Sequence, residues 1–322
     1  MRVVFLGSPA AALLPLQQLA AQGSARGHQL VGVVSQPARP VGRGQTLEDP
    51  PVAAWAKTQP ELAVLQPERA SDPVFLEALA ALAPDVAITA AYGQILTEAF
   101  LKIPRRATIN IHPSLLPRYR GATPVPAALL AGDEVSGVTI LFTVKALDAG
   151  AVILQKSSPV GPEETAGEMT ERLFAEGGEL LFDALDLLVD PKFVGTPQDP
   201  SAVTHCRKIA KTDGALDFTL PARRLFDRWR AFEPWPGSYT FCQGRRIAVV
   251  EAKLRERDGR DLAPGAARYD KPTKTILVGT GEGALGFVQL KPAGGKAVPA
   301  DAFWNGQRDK TNVQFSATDA AP

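Results

Sequence analysis

Ala107-Thr108-Ile109-Asn110-Ile111-His112-Pro113-Ser114-Leu115-Leu116-Pro117-Arg118-Tyr119-Arg120-Gly121 runs from a short apolar strand into a proline-bounded loop. Side chains two apart on a strand share a face, so Ile109 and Ile111 point together into a core. Asn110 and His112 then project side by side from the opposite face. Pro113 lacks a backbone donor and ends the strand. That leaves His112 at a carboxyl strand end, where open α/β sheets place their ligands. An amide beside an imidazole suits polarising a carbonyl and handling a proton.

Around this segment the first half of the chain alternates two patterns. Val3–Leu6, Leu30–Val34, Ala63–Leu65, Val86–Ala90 and Thr108–His112 read as strands, with helices over Leu13–Ala21, Val52–Thr58 and Pro73–Leu82. The βαβ rhythm predicts an α/β, Rossmann-like domain with a mostly parallel sheet and helices on both faces. Val138–Val144 and Ala151–Val160 add two strands around a turn at Leu147–Gly150. Glu163–Val189 has helical spacing with acidic residues early, although Gly177-Gly178 argues against one continuous helix. Pro191 to Ser201 holds three prolines and reads as a linker. Beyond it Arg223–Arg230 is helical. Short runs at Tyr239–Cys242, Ile247–Lys253, Thr275–Val278 and Phe287–Leu290 predict a small, OB-like β-barrel. The expected division is a domain over 1–190, a linker over 191–205, a second domain over 206–311 and a disordered tail over 312–322.

A chain of 322 residues with 45% hydrophobic and 21% charged residues has room for two globular domains. No apolar run reaches the roughly 18 residues of a membrane span, and no secretory pattern opens the chain. Cys206 and Cys242 form neither a disulfide framework nor a zinc motif, so the cytoplasm is the expected setting and no metal is expected. The net charge of +1 hides an asymmetry: residues 1–202 carry −6 and residues 203–322 carry +7. The basic second part is expected to meet a polyanion. Gly7-Ser8-Pro9 has no G-x-G-x-x-G or Walker pattern, so no dinucleotide is expected there.

The opening stretch resembles the signature of formyltransferases that use 10-formyltetrahydrofolate. The match comprises Asn110, His112, Ser114-Leu115-Leu116-Pro117 and Arg120-Gly121, at the family's spacing. Leu147-Asp148-Ala149-Gly150 is similar to the family's Leu-Asp-x-Gly turn, which makes Asp148 the acidic member of a catalytic trio with Asn110 and His112. Ala149 and Ala151 stand where Thr and Asp are more familiar, which leaves the loop's hydrogen bonding open. Ala91-Tyr92-Gly93-Gln94-Ile95-Leu96 resembles the segment that lines the family's pterin pocket. The resemblance therefore implies folate contacts from Tyr92, Gly93, Gln94, Ile95 and Leu96 and from Ser114, Leu115, Leu116 and Pro117.

Gln36-Pro37-Ala38-Arg39-Pro40-Val41-Gly42-Arg43-Gly44 resembles the loop with which tRNA-formylating members enter the acceptor stem of the initiator tRNA. Two arginines among glycines and prolines also suit phosphates on general grounds. Gln45-Thr46 and Glu48-Asp49 replace the lysines usual there. In the second part, Lys208-Ile209-Ala210-Lys211 and Pro234-Trp235-Pro236-Gly237-Ser238-Tyr239-Thr240 resemble further family motifs. Arg39, Arg43, Lys208 and Lys211 are thus the expected tRNA contacts, and Trp235 is expected as packed core.

The resemblance implies attack by the methionyl α-amine of charged initiator tRNA on the formyl carbon of 10-formyltetrahydrofolate, yielding N-formylmethionyl-tRNA for translation initiation. A monomer with no membrane or DNA partner is expected. Two rivals remain open: a formyltransferase for glycinamide ribonucleotide or an amino sugar, and a noncatalytic tRNA-binding module. The basic second part and the Arg39–Arg43 loop weigh against the first rival, and the intact trio weighs against the second.

Overall fold

The computed structural model describes residues 1–42 and 44–319. Arg43 lies outside the described residues. Contacts divide the chain into two units, each with its own core.

The first unit contains the strands β1 (Arg2–Gly7), β2 (Gln29–Val34), β3 (Arg39–Val41), β4 (Thr46–Glu48), β5 (Ala63–Leu65), β6 (Val86–Ala90), β7 (Ala107–His112), β8 (Arg120–Gly121), β9 (Val135–Phe142) and β10 (Val152–Pro159). Its helices are α1 (Leu13–Gln22), α2 (Pro51–Ala56), α3 (Pro73–Ala81) and α4 (Glu98–Leu101). A further helix, α5 (Pro124–Ala131), falls mostly to the second unit, whereas most of α6 (Ala166–Leu187) belongs to the first. The main sheet has the order β10-β9-β7-β6-β1-β2-β5. Neighbours from β7 across to β5 pair in parallel, and β9 and β10 are antiparallel additions at one edge.

The period of two along the strands divides the core between the two faces of the sheet. Val3 and Phe5 join one apolar cluster with Leu16, Val52 and Phe174, while Val4 and Leu6 join another with Phe75, Leu79 and Phe100. Ile109 and Ile111 belong to the first cluster, as their alternation predicts.

Three sequence expectations change within these elements. Helix α6 runs unbroken through Gly177-Gly178, because both glycines mark close approaches rather than a break. A Cβ on Gly177 would stand 2.6 Å from Ile111 Cγ2, and one on Gly178 would stand 1.7 Å from Gln18 Oε1. The 191–205 segment is no free linker. Phe193 packs on the first core, and Thr196 exchanges two backbone bonds of 2.8 Å with Val152. The strand β11 (His205–Cys206) then pairs in parallel with β8, so the first unit extends through Cys206.

The second unit comprises Val125–Glu134, Gly161–Gly167 and the chain from Arg207 onward. Its elements are α7 (Ala222–Ala231), β12 (Ser238–Cys242), β13 (Arg245–Arg255), β14 (Ala267–Asp270), β15 (Thr275–Gly279), β16 (Ala284–Pro292), β17 (Val298–Pro299), α8 (Ala300–Asn305) and β18 (Phe315–Ser316). The antiparallel sheet has the order β14-β15-β16-β13-β12-β18. Register shifts between Val249 and Ala252 bend the long β13. A bridge between Ala266 and Gln314 joins the two edges of the curled sheet, which gives it its OB-like form. The disordered tail expected from 312 begins too early: Val313 and Phe315 are buried in the core of this unit, and Phe315–Ser316 pairs with β12. Alternation in a segment this short is too brief to read without its partner strand. Trp235 is also a correction, since it is 54% exposed. It lies on the turn after α7 that the Gly237 N–H closes onto the Phe232 carbonyl, and Trp229 and Trp304 supply the buried indoles instead.

Candidate active site

Asn110 and His112 emerge from the carboxyl half of β7, and Asp148 comes from the turn between β9 and β10. The three side chains converge. Asn110 Nδ2 lies 3.5 Å from Asp148 Oδ1, and His112 Nδ1 lies 3.8 Å from the same oxygen. The second carboxylate oxygen, Oδ2, accepts the Gly121 N–H at 2.8 Å. Asp148 adopts a positive φ of 50°. Gly150 closes the turn where no larger residue fits, since a Cβ would stand 1.7 Å from the Phe142 carbonyl oxygen.

His112 is buried, and its Nε2 lies 3.0 Å from the Tyr119 carbonyl oxygen. A carbonyl only accepts, so Nε2 carries the proton and Nδ1 the lone pair. Burial lowers the His112 pKa from its ordinary value, and the Asp148 carboxylate and the Tyr119 carbonyl offset part of that effect. The resting imidazole is therefore neutral at pH 7, with its basic nitrogen beside a carboxylate that would stabilise an arriving proton.

The Asn110 amide is oriented by its neighbour in the sheet. Thr89 is paired with Asn110 across β6 and β7, and its hydroxyl donates to Asn110 Oδ1 at 2.8 Å. With the oxygen held, Nδ2 is the atom turned toward Asp148.

The loop after β7 is built as a brace. Ser114 is fully buried, and its hydroxyl donates to the Arg118 carbonyl at 2.8 Å. Thr139 donates to the Ser114 carbonyl at 2.6 Å, and Gln155 donates to the Leu116 carbonyl at 2.7 Å. Of the Ser114–Pro117 quartet, Leu115 and Pro117 are half-buried, whereas Leu116 is buried.

The expected folate residues after β6 separate in the same way. The Tyr92 ring packs with Phe75 and Phe100, and burial pushes its phenol up to about 12. Gln94 is committed to the Ala70 N–H at 2.7 Å and to the Pro67 carbonyl at 3.1 Å. Gly93 allows the Gln36 amide to approach, since a Cβ there would stand 2.5 Å from Gln36 Nε2. Ile95 is 89% exposed and Leu147 is 68% exposed, and an ion pair of 3.1 Å between Lys145 and Glu98 connects their loops.

Among the expected tRNA residues, Arg39 lies on the exposed β3–β4 hairpin and pairs with Glu68 at 2.8 Å. Lys208 and Lys211 are exposed in the second unit. Arg207 beside them is tied to Asp213 at 2.7 Å.

Sequence reading missed Thr89, Tyr119 and Gln198, whose side chain donates to the Asp148 carbonyl at 2.8 Å. Thr89 had a signal, being the one polar residue in Val86-Ala87-Ile88-Thr89-Ala90. Tyr119 meets His112 through a loop carbonyl and Gln198 meets the Asp148 turn through a side chain from a distant segment, which no spacing reveals.

The chain matches the formyl transferase family over residues 1–185 and the formyl transferase C-terminal domain over residues 208–308. It is 41% identical over 306 residues to a methionyl-tRNA formyltransferase of Chloroflexus aurantiacus, covering 95% of this chain and 97% of the relative. A methionyl-tRNA formyltransferase of Anaeromyxobacter dehalogenans is 42% identical over 316 residues, with 96% and 98% covered. Among solved structures, a HypX variant from Aquifex aeolicus superposes with a TM-score of 0.66 at 18% identity, over 96% of this chain and 48% of that one. This last likeness concerns the fold.

Proposed function

The chain belongs to the methionyl-tRNA formyltransferase family and transfers the formyl group of 10-formyltetrahydrofolate to the α-amine of methionyl initiator tRNA, and we propose that Asn110, His112 and Asp148 carry the reaction. The observation supporting this assignment is the convergence of an amide donor and a neutral imidazole on one carboxylate at a strand end. The folate co-substrate supplies the formyl carbon. Asn110 Nδ2 would donate to the formyl oxygen as negative charge grows there, the kind of electrostatic aid that usually dominates acyl transfer. His112 Nδ1 would take the proton that the attacking amine releases, directly or through water. It would return that proton to the folate nitrogen as that nitrogen's bond to the formyl carbon breaks, so that tetrahydrofolate leaves and the ring is again neutral. Asp148 would stabilise the intervening imidazolium and keep the ring aimed.

Exposed Ile95, with Leu96, Leu115, Pro117 and the main chain at Gly93, would hold the folate. Uncovered apolar side chains beside main-chain donors and acceptors suit a flat heterocycle with amide-like edges. Tyr92, Gln94, Ser114 and Leu116 would act by shaping these loops. In the proposed division of labour, the first unit binds folate and the aminoacyl end. Arg39, Arg43, Lys208 and Lys211 contact tRNA phosphates, and a single copy acts alone in the cytoplasm. No helix of the described residues is long and apolar enough to cross a membrane.

The test offers labelled 10-formyltetrahydrofolate with methionyl-initiator tRNA, glycinamide ribonucleotide or amino sugars as acceptors. Transfer to the tRNA alone is expected, and it should be lost in Asn110→Ala and His112→Ala. Undiminished transfer in folded His112→Ala would refute the residue assignment.

A further inference from the structure

Gln198 lies in the segment whose three prolines read as a linker, yet its side chain is fully engaged beside the proposed catalytic turn. Its Nε2 donates to the Asp148 carbonyl at 2.8 Å and to the Gly150 carbonyl at 2.7 Å. Its Oε1 accepts from Arg120 Nε at 3.0 Å and Nη2 at 2.8 Å. The amide thus joins the turn that carries Asp148 to the strand that carries Gly121, and Gly121 donates its own N–H to Asp148 Oδ2 at 2.8 Å.

The same segment fixes the partner of His112. Thr204 Oγ1 accepts the Tyr119 N–H at 2.8 Å, and the Thr204 carbonyl accepts the Arg120 N–H at 2.9 Å. Tyr119 is held at a positive φ of 62°, with its carbonyl turned to His112 Nε2 at 3.0 Å. The Asp148 turn also has little hold of its own on its backbone: within it, the Ala149 N–H reaches the Ala146 carbonyl only at 3.3 Å.

We propose that Gln198 is a positioning residue for formyl transfer, clasping the Asp148 turn to Arg120 so that the carboxylate stays aimed at Asn110 and His112. The clasp rests on the catalytic reading of Asp148 and extends it to a residue outside the site. An amide serves here because it offers donors on one side and an acceptor on the other. The turn presents two carbonyls and Arg120 presents two N–H groups, so all four bonds are complementary. A glutamate would suit Arg120 but would face the two carbonyls with an oxygen that cannot donate. A methionine would fill the space and make none of the bonds.

The experiment measures kcat and both KM values for Gln198→Met and Gln198→Glu, alone and combined with Asp148→Asn. Gln198→Glu keeps an ion pair with Arg120, so it remains a folded comparison should Gln198→Met unfold. Both single variants should lose roughly 10–100-fold in kcat, the cost of a reacting group misplaced by about 1 Å, with both KM values within twofold of the parent. In the Asp148→Asn background the same changes should add little, because residues acting as one unit are not additive. Parental kcat in the single variants, a loss confined to KM, or full additivity with Asp148→Asn would each overturn the clasp. If Asp148→Asn itself kept parental turnover, the catalytic reading of Asp148 would fail and the clasp with it. Loss in Asp148→Asn with normal Gln198 variants would remove the clasp alone.

Discussion

The Thr89 hydroxyl donates to Asn110 Oδ1 at 2.8 Å across two adjacent parallel strands, and this bond decides which end of the amide faces the carboxylate. An amide without that anchor can turn over and present its oxygen to Asp148. Thr89→Val keeps the volume and removes the donor. We expect it to cost about 1 kcal/mol of stability, the usual net worth of one hydrogen bond, and to lower kcat with little change in KM. Thr89→Ser should restore both. Urea unfolding and steady-state kinetics on the three proteins check this; parental turnover in Thr89→Val would show that the amide is held by something else.

Loss of a single donor should be felt in turnover rather than in binding. Asn110→Ala is expected to lower kcat by roughly 10²–10³-fold, as for other oxyanion donors, and His112→Ala by roughly 10²–10⁴-fold, as for loss of a general base. Asp148→Asn should be comparably damaging. Circular dichroism alongside the kinetics separates a lost function from a lost fold.

The neutral state of His112 predicts the acid limb of activity. Burial holds its pKa below the ordinary 6.5, so kcat/KM should stay level near pH 7 and fall only as the pH drops below that value. Asp148→Asn removes an influence that raises the pKa, so the residual activity should show its acid limb at still lower pH. Stability carries the same sign. Between the lowered folded pKa and the unfolded 6.5, the unfolded chain binds more protons. The His112 contribution is therefore complete above 6.5 and diminishes as the pH falls below it. Paired pH–rate and pH–denaturation profiles of parent and His112→Gln read both effects.

If Lys208 and Lys211 neutralise phosphates, their joint replacement by alanine should weaken tRNA binding and flatten its salt dependence. Each phosphate that is no longer neutralised should reduce the slope of log K against log salt by roughly 0.7–0.9. Arg43→Ala should raise the KM for charged tRNA in the same way. Folate KM should be unaffected in every case. A salt series of tRNA affinities is the measurement, and an unchanged slope for the double variant would remove those lysines from the interface.

In the second unit Arg230 and Asp227 form a buried ion pair at 2.8 Å, and Arg230 Nη1 also donates to the Gly161 carbonyl at 3.1 Å. Arg230→Met leaves a buried carboxylate without its partner and should destabilise the protein by roughly 3–5 kcal/mol. Replacing both by apolar residues should cost less. Urea titration of the single and double variants decides the point, and equal losses would mean that Arg230 acts mainly through Gly161.

The meeting of Asn110 and His112 was legible from local rules, and that of Asp148 from its family-like turn. Period-two alternation places Asn110 and His112 on one face whatever surrounds them, proline ends the strand, and a Gly turn carries the aspartate. The βαβ rhythm is local in the same sense, and for that reason the order of elements in the first unit follows from the chain. Trp235 and the 312–316 segment were misread because burial at a turn or a short edge strand is settled by whatever packs there.

What the sequence by itself determined, then, is which side chains leave β7 together and which turn brings them a carboxylate. Tertiary structure alone decided how those groups are oriented. The Asn110 amide takes its direction from Thr89, His112 takes its tautomer from the Tyr119 carbonyl, and Asp148 receives its backbone support from Gln198. Hydrogen-bond direction depends on angles and distances of tenths of an ångström between segments 21, 7 and 50 residues apart. No residue type or spacing encodes such a distance, because it arises only when the sheet, the braced loop and the supposed linker close on one another.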